Sequence, residues 1–322
     1  MHCLVWHSLD IRFTLRLVAQ KMRYQTPLMN QQNTNTTHCR LCDSRHVRLV
    51  KNSDVTTELQ SSSFAITDSH YGKTLDIYAC EDCGLLQSLQ TDNITQYYQH
   101  LEDPSYEESR KERSMQAKKI LKNVQKMLPS GNILDVGAGS GILVEQALHM
   151  GYQATGIEPS IWLKTKAVER NLPVIQGVLP NEQIRGPYDA VTLIDVIEHV
   201  EDPLALLREI RSLLKPNGLL VLNTPDVHSF FARALGWKWW HFRIAHISYF
   251  NKKNLHALVS KTGFEIIQIR RPSWFFGLDY LVERIQNYLP KFLHFNIPSA
   301  WKNIVIPLNL FDSFEVVCKK TG

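Results

Sequence analysis

The chain has 322 residues, which exceeds the usual length of a single domain and is enough to bury a large hydrophobic core. Hydrophobic residues make up 44% of it and charged residues 21%, which is ordinary for a globular protein and excludes a largely disordered chain. The net charge of +5 is small for this length, and no dense basic run occurs, so we expect no nucleic-acid partner.

Residues 1–37 are predicted to form a poorly ordered extension. Residues 1–21 contain an apolar run, but charged residues interrupt it and no small-residue cleavage site follows, so it does not match a signal peptide. Met22 and Met29 are alternative native starts, and the polar stretch after them is typical of a linker. No run in the chain predicts a transmembrane segment.

Residues 38–100 are predicted to form a zinc-binding module. Two CxxC pairs lie here, Cys39 with Cys42 in CRLC and Cys80 with Cys83 in CEDC. Four thiolates complete a tetrahedral Zn2+ site with no open position for water, so the predicted role of the metal is structural. Two unrelated CxxC pairs are the alternative. Such pairs also indicate a reducing compartment, and we therefore predict a cytoplasmic protein.

Residues 101–130 are predicted to form a helical connector. Ser105 and Glu108 have the spacing of a capping box. Apolar residues then recur at helical intervals from Ala117 to Met127, until a proline and a glycine end the pattern.

From residue 131 to residue 322, strand-like and helix-like segments alternate. Strands are predicted at Asn132–Val136, Gln153–Glu158, Pro173–Gln176, Tyr188–Asp195 and Gly218–Asn223, and helices at Gly141–Met150, Ser160–Arg170, Pro203–Leu214 and Lys252–Lys261. The alternation predicts a parallel sheet that helices cover on both faces. Two late strands, Phe264–Arg271 and Ser313–Lys319, have no regular crossover helix between them, which predicts an antiparallel pair at the sheet edge.

The segment Ile133–Gly141 reads ILDVGAGSG, which is typical of a strand that ends at a nucleotide-like ligand. Glycines let the backbone approach the ligand closely, and the next helix points its N-terminal amides towards it. The spacing of Gly137, Gly139 and Gly141 is GxGxG, and Ile142 stands where a dinucleotide fingerprint requires its third glycine. The loop therefore predicts a nucleotide-like ligand other than NAD.

Four motifs, taken in order, carry a family resemblance. ILDVGAGSG is followed by GIEPS at 156–160, YDAVTLIDVIEHVEDP at 188–203 and LLKPNGLLVLNTPD at 213–226. Over roughly residues 105–322 the chain resembles class I S-adenosylmethionine (SAM)-dependent methyltransferases. The resemblance implies an α/β, Rossmann-like methyltransferase fold: a mostly parallel seven-stranded sheet with an antiparallel last strand, preceded here by the small zinc-binding domain. It also implies SAM as the methyl donor.

The same resemblance implies which residues bind SAM. Asp135 and the loop glycines would face its methionine portion, and Glu158 has a carboxylate that can accept hydrogen bonds from both ribose hydroxyls. A helix N-cap acid is the alternative role for Glu158. The full expected set is Asp135, Gly137, Gly139, Gly141, Glu158, Val178, Asp195 and Val196, with Val178 near the adenine ring.

His199 is the predicted catalytic base, because its pKa class suits proton removal and it follows a strand whose end faces the ligand. A structural histidine beside the cofactor is the alternative. The segment Gly236–Phe250 is dense in aromatic residues and is predicted to form a substrate wall, in which His246 is a second catalytic candidate. Packing is the alternative role for this segment.

The preferred hypothesis is a SAM-dependent enzyme that transfers a methyl group to an oxygen or a carbon of a small molecule. A sugar or polysaccharide precursor is the expected acceptor, because the cysteine pattern CxxC…CxxCGLLQ resembles the module preceding bacterial methyltransferases of such compounds. A catalytically degenerate binding protein, recruited through its zinc module to a partner or to nucleic acid, is the alternative. The insertion at 274–310 is predicted to be a lid or a packing element rather than a dimer contact or an interfacial membrane helix, and the sequence predicts no oligomeric state.

Overall fold

The computed structural model describes residues 38–67, 71–89, 94–286 and 289–322, and these residues belong to one compact unit. The extension predicted at 1–37 lies outside the described residues. The division of the remaining chain at residues 100 and 130 stays a prediction.

A small antiparallel sheet carries the cysteine pairs. Its first three strands are β1 (Val47–Lys51), β2 (Ile77–Cys80) and β3 (Leu86–Gln87). A fourth strand joins it from far along the chain, because Gln87 pairs with Ser248. The cysteine segment is therefore tied by backbone hydrogen bonds to the aromatic segment Gly236–Phe250.

The helices α1 (Ile94–Gln99), α2 (Pro104–Glu108) and α3 (Arg110–Gln125) lead to the central sheet. The capping box predicted at Ser105 is wrong, since the helix begins one residue earlier, at a proline that favours the first helical position. Asp103 is the cap, and its Oδ1 accepts a hydrogen bond from the amide of Tyr106 at 3.1 Å. This cap fixes the direction in which α2 enters the candidate site.

The rest of the chain alternates between strands and helices, as the sequence predicts. In order they are β4 (Asn132–Val136), α4 (Ile142–His149), β5 (Gln153–Glu158), α5 (Ile161–Glu169), β6 (Val174–Gln176), β7 (Tyr188–Ile194), α6 (Pro203–Leu213), β8 (Leu214–Pro225), α7 (Phe230–Leu235), β9 (Ser248–Tyr249), α8 (Lys252–Lys261), β10 (Phe264–Arg270), β11 (Trp274–Gly277), α9 (Leu278–Gln286), β12 (Val305–Leu308) and β13 (Ser313–Lys320). Strand β9 is the fourth strand of the small sheet, and β11 and β12 form a separate hairpin.

Within the described residues, the central sheet has seven strands in the order β10-β13-β8-β7-β4-β5-β6. The strands β4 to β8 pair in parallel, while β13 runs antiparallel between β8 and β10. This arrangement confirms the predicted fold class, including the antiparallel pair at the sheet edge. Strand β8 is longer than predicted, because Leu214 begins the strand instead of ending the helix before it.

Both faces of the central sheet are buried, and β4 shows why. Successive side chains of a strand point to opposite faces. Ile133 belongs to the hydrophobic cluster that contains residues of α3 and α4, whereas Leu134 belongs to the cluster that contains residues of α6 and α8. Each helix of the described part of the chain is too short or too polar to span a bilayer.

Candidate active site

The residues predicted to bind SAM meet at one edge of the central sheet, which we name the carboxyl edge because its parallel strands end there. Each of the strands β4 to β7 contributes to this set. At the end of β4 or just after it lie Asp135, Gly137, Gly139 and Gly141, at the end of β5 Glu158, beyond β6 Val178, and after β7 Asp195 and Val196. The structure therefore brings together, on adjacent strand ends, what the motifs place up to 61 residues apart in sequence (135 to 196).

The glycine loop after β4 needs its glycines for conformation and for space. Gly137 and Gly139 have φ values of +73° and +54°, in the left-handed region that other residues adopt only at a cost. A Cβ atom on Gly139 would lie 2.5 Å from the hydroxyl oxygen of Tyr106, and one on Gly137 would lie 2.5 Å from Cγ2 of Val196. The loop thus exposes its backbone, and the side chains of Tyr106 and Val196 pack directly against it.

Glu158 ties the glycine loop to the loop after β5. Its Oε2 accepts a hydrogen bond from the Gly139 amide and its Oε1 one from the Ser160 amide, both at 2.8 Å. The alternative role of Glu158 as helix cap is wrong, because Ser160 caps α5 with its own side chain. A carboxylate offers about four lone-pair directions, so two stay available for ribose hydroxyls. Burial raises the pKa of Glu158 to about 7.

Asp135 and Asp195 are the other two carboxylates of the predicted set. Asp135 is buried, and its Oδ1 accepts a hydrogen bond from the Thr192 hydroxyl at 2.6 Å. Burial raises the pKa of Asp135 to about 7. Asp195 has an exposed side chain, yet the surrounding protein raises its pKa to about 6. Asp195 is thus the solvent-exposed carboxylate of this set.

His199 lies four residues after Asp195, at the end of the short 3-10 turn Ile197–His199. Its Nδ1 is 2.7 Å from the carbonyl oxygen of Ala245 and 2.7 Å from the hydroxyl oxygen of Tyr98. Because a carbonyl only accepts, we assign the proton to Nδ1 and the lone pair to Nε2. Burial is the main reason that the pKa of His199 falls to about 4, so the ring is neutral near pH 7.

His246, the second catalytic candidate, contacts His199. The centroids of the two rings are 4.7 Å apart in an edge-on contact, and the ring of His241 stacks on His246 at 5.7 Å. Burial lowers the pKa of His246 well below its usual range. Its Nδ1 is buried and, among the described residues, has no hydrogen-bond partner.

Sequence reasoning missed Glu198, which completes a group that can hold a cation. One ligand atom from each of Glu198, His199 and His246 lies within 4.8 Å of the others. The Oε2 atom of Glu198 accepts a hydrogen bond from the Thr224 hydroxyl at 3.0 Å, whereas Oε1 is buried with no partner in the described part of the chain. Carboxylate oxygen and imidazole nitrogen are common ligands of divalent metals.

Sequence reasoning also missed the two tyrosines that contact the site. Tyr98 bonds to His199, and Tyr106 lies over the glycine loop, where burial raises its pKa to about 12. Both precede the glycine loop by more than 25 residues, Tyr98 within the predicted zinc-binding module and Tyr106 within the predicted helical connector. No local signal separates a tyrosine of this kind from an ordinary helix residue.

An ionic cluster docks α3 on the glycine loop. Arg110 donates to Glu145 at 2.8 Å and to the Ser140 hydroxyl at 3.0 Å, and it pairs with Glu107 at 3.3 Å. Ser140 in turn donates to Glu107. The cluster holds α2 and α3 against the loop, and thereby holds Tyr106 above it.

The four paired cysteines form a second site, in the small sheet. Sγ of Cys39 lies 3.5 Å from Sγ of Cys83, and Sγ of Cys42 lies 3.5 Å from Sγ of Cys80, so none of the four is disulfide-bonded. Tetrahedral zinc with Zn–S bonds of about 2.3 Å requires sulfur atoms about 3.8 Å apart. These spacings fit zinc.

The two cysteine turns also share one backbone design. The carbonyl oxygen of Cys39 accepts from the amide of Asp43 at 2.8 Å, and that of Cys80 accepts from the amide of Gly84 at 2.9 Å. Asp43 and Gly84 both have positive φ, +62° and +76°. The two turns therefore have the same backbone geometry, and all four Sγ atoms lie within 4.8 Å of one another.

A family model described as a methyltransferase domain matches residues 106–269, about half of the chain. The chain belongs to this methyltransferase-domain family. Membership confirms the predicted resemblance to SAM-dependent methyltransferases and the enzyme class predicted from it. The matched region extends from α2, which covers the glycine loop, to β10.

Curated relatives agree with the family over a shorter stretch. A ubiquinone biosynthesis O-methyltransferase of Xanthomonas campestris pv. campestris (strain B100) is 39% identical over 105 residues. The enzyme of that name from Haemophilus ducreyi (strain 35000HP / ATCC 700724) is 36% identical over 104 residues. The matches cover 30% and 29% of this chain, and they span less than half, 44%, of the length of each relative.

Two solved structures with a similar fold bear the name SAM-dependent methyltransferase, and both have low sequence identity to this chain. One from Thermotoga maritima is 20% identical with a TM-score of 0.44 and covers 67% of this chain and 95% of its own. One from Methanosarcina mazei is 16% identical with a TM-score of 0.40 and covers 60% of this chain and 94% of its own.

Replacement of Gly139 by alanine tests the glycine loop. We expect Gly139→Ala to weaken binding of S-adenosylhomocysteine (SAH) at least about tenfold, because the left-handed conformation costs about 1–2 kcal/mol and the new Cβ meets Tyr106. Isothermal titration calorimetry measures the affinity. Gly151→Ala is the matched control, since Gly151 also has positive φ (+88°) but open space around its Cβ position. Equal SAH affinity of the two variants would contradict the assignment.

Replacement of one cysteine tests the metal site. We expect one zinc per chain in the purified protein and its loss in Cys80→Ser, because three thiolates hold zinc far less tightly than four. Cys318→Ser is the control, since Cys318 is buried in β13 outside the cluster. Elemental analysis measures the zinc. Zinc content that is unchanged in Cys80→Ser would refute a four-cysteine site.

Proposed function

We propose that this protein is a SAM-dependent O-methyltransferase that acts on a hydroxyl group of a small molecule. Family membership supports the methyl donor, and the O-methyltransferase relatives support an oxygen acceptor. When bound, SAM supplies a methyl group that its sulfonium already activates. What the protein must add is binding, alignment and removal of the hydroxyl proton.

The residues at the carboxyl edge suit the binding role. The loop of Gly137 and Gly139 lets a ligand approach backbone amides, and Glu158 keeps lone pairs free for two hydroxyl donors. Asp135 and Asp195 offer carboxylates to the ammonium group of the methionine portion. Alignment of two reactants in one site contributes up to about 7–11 kcal/mol to the lowering of the barrier.

The observation that carries the proposed chemistry is the orientation of His199. Its Nδ1 is fixed by the Ala245 carbonyl, which leaves the Nε2 lone pair without a hydrogen-bond partner in the described part of the chain. A neutral imidazole at the carboxyl edge can take the proton of an acceptor hydroxyl, which typically contributes about 10²–10⁴-fold to the rate. The role of His199 as base, with His246 packed against it, is therefore part of the proposal.

The acceptor class predicted from the sequence, a sugar or polysaccharide precursor, stays a prediction. Sugars carry the hydroxyl groups that this chemistry needs, and so do phenols. Tyr249 packs against His246, and Trp239 packs against His241, which stacks on His246; these aromatic surroundings favour an acceptor with at least one apolar face.

Zinc completes the proposal as a structural ion. The four thiolates would hold it, and they leave no position for a reactant. The two cysteine turns support the small sheet, whose strand β3 pairs with β9, and β9 begins three residues after Ala245. The ion would thereby support the backbone that orients His199.

Replacement of His199 tests the catalytic step. We expect His199→Ala to lower kcat about 10²–10⁴-fold with SAH affinity unchanged, because the base acts in proton transfer and not in donor binding. Transfer of radiolabelled methyl groups to a hydroxyl acceptor found by screening sugars and phenols measures the rate. His149→Ala, at the exposed end of α4, is the control. Added imidazole should restore part of the lost rate, and full activity of His199→Ala would exclude the base.

Two other results would contradict SAM-dependent O-methylation itself rather than the role of His199. Absence of SAH binding by the folded wild-type protein would favour the degenerate binding protein. Binding of SAH with methyl transfer to carbon only would leave the donor site intact and refute O-methylation.

The pH dependence of SAH binding tests the buried carboxyls. Burial raises the pKa of Glu158 and of Asp135 to about 7 in the ligand-free protein. Both bind hydroxyl or ammonium donors as carboxylates, so affinity should rise between pH 6 and pH 8 as they lose protons. Calorimetry at several pH values measures the trend, and Glu158→Gln should flatten it. Affinity that falls with pH in the wild type would contradict the assignment.

A further inference from the structure

Exposed apolar side chains lie on the insertion between β10 and β13. Large hydrophobic side chains are exposed along residues 285–304, which is unusual for a folded chain of this size. The exposed fraction is 83% for Phe292, 59% for Ile285 and 52% for Phe295. We define the outer surface as Ile285, Leu289, Phe292, Leu293, Phe295 and Ile304.

Hydrogen bonds hold the backbone under this surface in a defined shape. The side-chain amide of Gln286, at the end of α9, donates to the Phe295 carbonyl at 3.1 Å. The His294 ring nitrogen Nε2 and the Leu289 carbonyl are 3.1 Å apart, and the rings of Phe295 and Trp301 meet edge-on at 6.3 Å. The outer surface therefore presents its apolar side chains on a folded support.

The charge of the insertion indicates which partner fits. Asp279 and the exposed Glu283 lie in its first part, whereas the stretch from Arg284 to Phe311 contains no aspartate or glutamate and has Lys291 and Lys302. Lys291 and Lys302 are exposed beside the apolar side chains. Exposed phenylalanine and leucine beside lysines, with no acid between residues 285 and 304, is a pattern that binds the headgroup region of anionic bilayers.

The insertion leaves and rejoins the sheet at the carboxyl edge. Strand β13 is antiparallel to β8, and Ser313, at its start, pairs with Pro225, at the end of β8. Arg271, just after β10, donates to Asp226 at 2.7 Å, just after β8. The insertion that carries the outer surface is thus attached at the edge of the sheet that carries the candidate active site.

We propose that the outer surface docks the protein on an anionic membrane, with its aromatic and leucine side chains in the boundary between headgroups and acyl chains. This is a peripheral attachment, since the helices of the described residues do not span a bilayer. It does not depend on the proposed methyl transfer. It does change one prediction, because the insertion was expected to be a lid or a packing element.

Vesicle sedimentation tests the docking. We expect the wild-type protein to sediment with vesicles of phosphatidylcholine and phosphatidylglycerol, and much less with phosphatidylcholine alone. Removal of one buried apolar side chain typically weakens such binding about tenfold, so we expect this loss in Leu293→Ser and in Phe292→Ser. Leu148→Ser is the matched control: Leu148 is exposed to a similar degree, 39% against 48%, but lies at the end of α4 next to β5, at the opposite edge of the sheet.

A charge reversal tests the electrostatic part. Lys291→Glu combined with Lys302→Glu should abolish the preference for anionic vesicles, whereas Lys126→Glu, at the end of α3, should not. Equal thermal unfolding midpoints of all variants show that they fold. Equal vesicle binding by Leu293→Ser and Leu148→Ser would overturn the proposal. A protein that ignores vesicles but forms a dimer that Phe292→Ser dissociates would overturn it too, in favour of a second copy as the partner.

Discussion

The structure of the site depends on one buried carboxylate. Glu158 accepts one amide hydrogen bond from Gly139 and one from Ser160, and these bonds set the distance between the loops that follow β4 and β5. Two amide donors stabilise the charged form, while burial opposes it and keeps the pKa near 7. A ligand with two hydroxyl donors would resolve this conflict, because it adds the hydrogen bonds that burial removes.

The second constraint reaches the site from the cysteine cluster. Ser88, just after β3, donates its amide to the Ile247 carbonyl at 2.9 Å, and Ile247 donates its amide to the Glu198 carbonyl at 2.9 Å. Ala245 precedes Ile247 by two residues, and its carbonyl fixes the imidazole of His199. A short series of backbone hydrogen bonds therefore connects the cysteine turns to His199. Through it, a structural metal at the cysteines would support the position of His199 without contacting the reactants.

The sequence predicts those parts of the fold that depend on local pattern. The bounds of β4, β5 and α8 agree with prediction to the residue, because an apolar run or a helical period begins and ends there at turn residues. The parts that fail depend on contacts distant in sequence. Tyr98 meets His199 across 101 residues, and Gln87 meets Ser248 across a longer gap, so no periodicity marks them. Glu198 was not predicted as a site residue, because the motif IEHVEDP is already explained by a role for the adjacent His199.

Burial shifts the pKa values of the carboxyl groups and of the histidine in opposite directions. Carboxylates at the ends of β4 and β5 titrate near neutral pH, whereas His199 stays neutral down to about pH 4. The histidine can therefore act as a base at any pH at which the carboxylates are charged enough to bind the donor. A base of normal pKa would be partly protonated in the same range. Burial, which raises the pKa of the carboxylates, is thus also what keeps the imidazole neutral, and it makes that imidazole a weaker base than a solvated one.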